Sequence, residues 1–102
     1  MNLAEIKRLE GNRFALSGDV GFATVSRLLA VGMDLFQGCK SLEIDLSGTT
    51  ACDSAAVALL VEWAGYAERK SIEIAYHNVP EHVLKIASIS EIDTMLPVAG
   101  NN

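Results

Sequence analysis

The chain reads as a single α/β domain: a mixed β-sheet of about four strands with helices packed on it. Three observations predict this. Leu42-Glu43-Ile44-Asp45-Leu46 alternates apolar and charged residues with the period of a pleated strand. Ser54 to Arg69 is a long, almost purely apolar helical run, opened by the cap-forming pair Asp53-Ser54. Strand-like and helix-like segments alternate along the 102 residues, as expected of parallel strands joined by helices. The expected order is β-β-α-β-α-β-α-α over residues 3–97.

Leu3 to Leu9 can form a first edge strand. Gly11-Asn12 follows as a tight turn, and Phe14 to Leu16 forms the second strand of a hairpin, which makes the sheet mixed. Ser17-Gly18-Asp19 is expected to end that strand. From Phe22 to Phe36 the period becomes helical, with Val25, Leu28, Leu29, Gly32 and Phe36 on one face and Gly38 at the C-terminal cap. The strand Leu42–Leu46 comes next, then a loop of turn-forming residues, Ser47-Gly48-Thr49-Thr50. After the helix Ser54–Arg69, Ser71 to Tyr76 is a short strand. Pro80 opens a third helix at its first turn, where a missing N–H costs nothing. Val83, Leu84, Ile86 and Ala87 give that helix its apolar face. A short last helix is expected from Ser90-Glu91 to Leu96-Pro97, with residues 98–102 a frayed tail.

Half of the residues are hydrophobic, enough for a substantial core, and that core is aliphatic because only 6% are aromatic. A net charge of −5 argues against a nucleic-acid partner, which a basic patch would normally announce. No Lys or Arg block offers a direct grip on anionic lipid. Mean hydropathy is +0.27, yet the longest apolar run, Ala55 to Val61, is far short of the roughly 18 residues that span a bilayer. The N-terminus has no apolar core of a signal peptide, so a cytoplasmic location is expected. The two cysteines, Cys39 and Cys52, are expected to be free thiols, and His77 and His82 share no zinc spacing with them.

The helix after Asp53 is too apolar for one face. At 100° per residue, Ala56, Val57, Leu60, Val61, Ala64 and Ala67 form the sheet-facing stripe. The other side carries Ser54, Ala55, Ala58, Leu59, Glu62, Gly65, Tyr66 and Arg69, with Trp63 on the border. Leu59 and Tyr66 either tuck beneath neighbouring helices or belong to a docking face for another protein. The second expectation builds that face from Asp53, Ser54, Ala55, Ala58, Leu59 and Glu62. The small residues let another backbone come close, and a hydroxyl stands at the positive end of the helix.

No catalytic constellation emerges. No histidine has a cue that sets it as a base beside Ser54, and there is neither a Gly-x-Gly-x-x-Gly nor a Walker-type loop. Asp45 and Asp53 could flank a loop as two metal ligands, but a cap role for Asp53 accounts for it better. No enzyme activity, metal or cofactor is expected.

Phe14-Ala15-Leu16-Ser17-Gly18-Asp19, Leu42-Glu43-Ile44-Asp45-Leu46-Ser47 and the Asp53-Ser54 pair before a helix together resemble the STAS domains of anti-sigma-factor antagonists and sulfate-transporter tails. In antagonist members the hydroxyl residue after the loop aspartate is phosphorylated, and Ser54 matches that position. Those members usually read Asp-Ser-Ser-Gly where this chain has Asp53-Ser54-Ala55-Ala56. Leu16-Ser17-Gly18-Asp19 and Met95-Leu96-Pro97 are also similar to the stand-alone STAS subunit of the Mla phospholipid-transport ABC complex of Gram-negative bacteria. That resemblance implies a non-catalytic cytoplasmic accessory subunit, bound at the inner membrane to a transporter ATPase that serves outer-membrane lipid asymmetry. The alternative it implies is an antagonist switched by an anti-sigma kinase through Ser54.

Overall fold

A computed structural model describes residues 3–99. Four strands form one sheet in the order β1-β2-β3-β4: β1 (Glu5–Glu10), β2 (Arg13–Val20), β3 (Ser41–Cys52) and β4 (Glu73–His77). The β1/β2 hairpin is antiparallel, and β2/β3 and β3/β4 are parallel, so the sheet is mixed as expected. Three helices, α1 (Val25–Leu35), α2 (Ser54–Arg69) and α3 (Glu81–Ile89), connect and cover it. The expected fourth helix is a single 3-10 turn, Asp93–Met95.

Alternation along the strands makes the core one-sided. Phe14, Leu16 and Val20 of β2 and Leu42, Ile44 and Leu46 of β3 point to one face, where they meet Leu28, Phe36, Val57, Leu60 and Trp63 from the helices. Phe14, Phe36 and Trp63 stack edge-to-face in series, with centroids 5.2 and 5.4 Å apart. Tyr76 is also fully buried, and its hydroxyl donates to the Leu60 carbonyl at 2.6 Å. The opposite sheet face is polar: Glu43 pairs with His77, and Asp45 accepts from Asn78 at 2.9 Å. The Asn78 amide holds the Asp45 carboxyl below its ordinary range.

Two strands are longer than their alternation suggests. β2 continues through Ser17-Gly18-Asp19 to Val20, and β3 continues through Ser47-Gly48-Thr49-Thr50 to Cys52. The reason is mutual pairing: Ser17 lies opposite Gly48, Gly18 opposite Thr49 and Val20 opposite Cys52, with two register irregularities on the way. Gly18 marks one of them at φ +87°. A Cβ there would meet the Leu3 carbonyl and come within 2.8 Å of the Ala4 Cα, so the residue admits the chain that enters β1.

Helix ends also differ from expectation for local reasons. Ser71 takes a left-handed φ of 59°, and the Ser71 and Ile72 N–H groups bond back to Glu68 and Ala67. These two residues therefore terminate α2 instead of opening β4. Glu91, at φ 60°, ends α3 in the same way, with the Ile92 N–H donating to Ala87 at 2.9 Å. The tail expected to fray starts at Val98. Within it the Ala99 N–H donates to the Tyr76 carbonyl at 2.8 Å, and Val98 bridges β4; residues 100–102 lie outside the described residues. Cys39 and Cys52 are half-buried free thiols, and burial pushes the Cys52 thiol up.

Candidate functional site at the start of helix α2

β3 delivers the chain to Asp53, which adopts an extended conformation (φ −111°, ψ −167°) and caps α2. Its Oδ1 accepts from the Ala55 N–H at 2.8 Å and from the Ala56 N–H at 3.3 Å. These are two of the orphan donors that every helix start must satisfy. Its Oδ2 accepts a third bond, from the Phe22 N–H at 3.2 Å. One carboxylate thus ties the start of α2 to the loop between β2 and α1.

That loop is itself closed by hydrogen bonds. The Gly21 N–H donates to Thr24 Oγ1 at 3.0 Å, and the Thr24 hydroxyl is 3.1 Å from the Asp19 carbonyl. Gly21 is needed for the close approach, since a Cβ there would lie 2.8 Å from Asp53 Oδ2. Helix α1 therefore starts at Val25, and Phe22, expected inside that helix, stands in the loop with 88% of its surface exposed.

Ser54 is the first residue of α2 and is exposed. Ala58 and Glu62 follow it at four-residue spacing, also exposed, so that the three form one stripe along the helix. Ala55 and Gly65 border the stripe and are half-buried. Five of the six residues expected on a docking face, Asp53, Ser54, Ala55, Ala58 and Glu62, are therefore brought together at one end and one side of α2.

Leu59 is the correction. Its side chain is 3% exposed and part of the buried core, one turn before Trp63 and so on the side of α2 that faces α1. Tyr66, 8% exposed, lies on the same side of the helix and brings its hydroxyl to 3.5 Å from the Met33 carbonyl of α1. Trp63, placed on the border from sequence, is fully buried, with Nε1 3.4 Å from the Leu29 carbonyl. Helix α2 is flanked on both sides, by α1 and by α3, and lies over the sheet. Its buried arc runs from Tyr66 and Leu59 round to Val57, about half the circumference at 100° per residue.

The arrangement suits recognition more than chemistry. The charges it presents, Asp53 and Glu62, are both negative. Asp45 is engaged by Asn78 and Ser47 and Asp53 by the cap, and among the described residues no group of three or more His, Cys, Asp or Glu is placed to hold a metal ion. Sequence reasoning missed the Phe22 loop. The signal was there in Gly21 and Thr24, a turn glycine and a residue type that often precedes a helix.

A small mixed sheet covered by helices on one face, with an exposed serine at the first turn of its central helix, defines a single α/β domain with a one-sided core. The chain belongs to the STAS domain family, since the family model described as "Mlab, STAS domain" matches residues 6–97. No curated protein matches the sequence. Among solved structures, the fold is similar to the anti-sigma factor antagonist SpoIIAA in its unphosphorylated form, with TM-score 0.69, 14% identity and 97% of this chain and 90% of that chain covered. An anti-sigma factor antagonist from Mycobacterium paratuberculosis gives TM-score 0.70 at 17% identity, covering 99% and 87% of the two chains. The match to SLC26A9, with TM-score 0.66 and 13% identity, covers 84% of this chain and only 17% of that one. At these identities the likeness is one of fold.

Proposed function

We propose that the chain is a non-catalytic accessory subunit that docks through the Ser54–Ala58–Glu62 stripe of α2 onto the ATPase of an ABC transporter for phospholipids. In this reading it sits on the cytoplasmic side of the inner membrane. The observation that carries the reading is the stripe itself. On a helix whose other sides are packed against the sheet, α1 and α3, the exposed side carries small residues, Ser54 and Ala58, over its first two turns, before Glu62. A partner can approach the backbone there without displacing large side chains. The Mla description of the matching family model supports the choice of transporter.

A second reading, an antagonist switched by phosphorylation of Ser54, draws on one specific observation: the Ser54 hydroxyl is exposed at the helix start, accessible to a kinase. Against it stands Ala55-Ala56 in place of the usual Ser-Gly.

The test is a titration of wild type, Ser54→Ala and Ser54→Glu against the purified ATPase, with thermal melts in parallel. Alanine loses a hydroxyl worth about 1 kcal/mol if it bonds across the interface. Glutamate is favoured at the first turn by roughly 0.3–1 kcal/mol, so the fold tolerates it. Docked without a counter-charge, the same carboxylate costs several kcal/mol (about 3 or more). The expected order of affinity is wild type, then alanine, then glutamate far weaker. Equal affinities would place the helix start outside the interface. Tighter binding by glutamate would favour the phospho-switch.

A further inference from the structure

The most exposed large apolar side chain in the described structure is Phe22, at 88%. It is not on a slack segment. Its N–H is bonded to the Asp53 carboxylate, and the loop that carries it is cross-tied by Thr24 to Gly21 and Asp19. Leu3, 72% exposed, lines the same shallow hollow, together with Ala4 and Ala23. An aromatic ring held on a fixed backbone and left in water is a pre-organised anchor, since little freedom remains to be lost when it is covered. Because Asp53 serves both the loop and the α2 cap, this apolar patch is continuous with the stripe that starts at Ser54.

Charge selects the occupant. The ionisable residues that line the hollow are Asp19 and Asp53, both carboxylates. Arg27 donates to the Ala4 carbonyl at 2.9 Å but does not line it. The whole chain carries −5. A second copy of the chain, related by a two-fold axis through Phe22, would set these carboxylates against their own kind. An anionic bilayer surface would be repelled in the same way. A protein surface with an apolar pocket rimmed by Lys or Arg satisfies both the ring and the charges.

We propose that Phe22, flanked by Leu3, is the anchor of this docking face and inserts into an apolar pocket of the partner protein that is bordered by basic side chains. The proposal rests on the accessory-subunit reading and specifies the chemistry of its partner. Affinity for the purified ATPase is measured by calorimetry at low and high salt for wild type, Phe22→Ser and Leu9→Ser, with circular dichroism of each. Leu9 is a control, since it is exposed on the polar side of the sheet, away from the hollow. Phe22 is almost entirely in water, so serine there leaves the fold intact. The expected loss for Phe22→Ser is at least roughly thirtyfold, the usual mark of a hot spot. Leu9→Ser should bind as wild type, and wild-type affinity should fall as salt rises. If wild type binds and Phe22→Ser binds equally well, the anchor is refuted and the accessory reading survives. Salt-independent binding overturns the basic rim. No binding by wild type overturns the accessory reading and the anchor with it. Two parallel measurements check the rejected occupants. Self-association of the chain alone, or retention on phosphatidylglycerol-containing vesicles, either of them abolished by Phe22→Ser, would overturn the choice of partner.

Discussion

Replacing Gly32 by alanine should destabilise the domain, although the same change in most helices helps. Gly32 is a buried residue of α1 that faces the Trp63 indole of α2. A Cβ at this position would lie 2.6 Å from Trp63 Cε2, Cζ2 and Nε1. Ordinary carbon contacts are about 3.5–4.0 Å, so something must move by about 1 Å. The indole has nowhere to go, since it is fully buried and packed edge-on to Phe36 at 5.4 Å. Overpacking of this kind costs roughly 1–3 kcal/mol, and three ring atoms met at once place it near the top of that range. Removing a helix-interior glycine returns about 1 kcal/mol. The net expectation is a loss of about 1–2 kcal/mol. Gly65→Ala supplies the contrast on α2. Its nearest obstacle is the Arg69 guanidinium at 3.3 Å, an exposed and flexible group that can step aside, so the propensity gain of about 1 kcal/mol should survive. Urea denaturation at 25 °C reads both, and each kcal/mol shifts Tm by roughly 4–8 °C in a domain of this size. Wild-type or greater stability for Gly32→Ala would refute the close α1–α2 approach.

Two further changes separate folding from docking. Leu59→Asp should unfold the domain, because it buries a carboxylate among apolar side chains, whereas Ala58→Arg, one residue earlier on the exposed stripe, should fold normally and lose the ATPase. Circular dichroism and the binding titration check the pair, and a folded Leu59→Asp protein would contradict the placement of that residue. Asp53→Ala removes the α2 cap and the tie to the Phe22 loop together, so a loss of about 1–2 kcal/mol is expected, with Asp53→Asn retaining most of it. Thermal melts decide, and an unchanged Tm for the alanine variant would show that the cap bonds contribute nothing net.

The order of elements was legible because it depends on local periodicity. Leu42, Ile44 and Leu46 announce a strand whatever surrounds them, and Asp53 announces a helix start through its own side chain. What depended on partners was not legible. Ser17-Gly18 and Ser47-Gly48-Thr49-Thr50 have turn composition, and they are strands only because β2 and β3 find each other in register. The faces of α2 show the same limit. A helical period locates the centre of the buried arc, but its width depends on how far α1 and α3 reach around. Leu59 and Tyr66 sit side by side at the edge that α1 reaches. Ser54, Ala58 and Glu62 lie opposite the arc's centre, so their exposure followed from the period alone. Phe22 was lost because an apolar residue three positions before a helical run extends the period and conceals the Thr24 boundary.

Placing large apolar side chains inward and small or charged ones outward on α2 gives stability and recognition to different residues of one helix. Trp63, Leu59 and Tyr66 hold it to its neighbours, and the exposed stripe contributes little to that packing. A charge added at Ser54 therefore acts on the interface far more than on the fold. At the first turn the helix dipole favours it by roughly 0.3–1 kcal/mol, while the adjacent Asp53 carboxylate opposes it, and exposure to water moderates both. Against a docked partner the same charge meets whatever that partner presents. A basic rim, which the carboxylates beside Phe22 call for, would turn a negative Ser54 from a penalty into a gain if it extended that far. The glutamate variant thus measures how far the partner's positive charge reaches along α2: strong weakening confines it to the Phe22 end, and strengthening carries it over the helix start, the result that favours the phospho-switch.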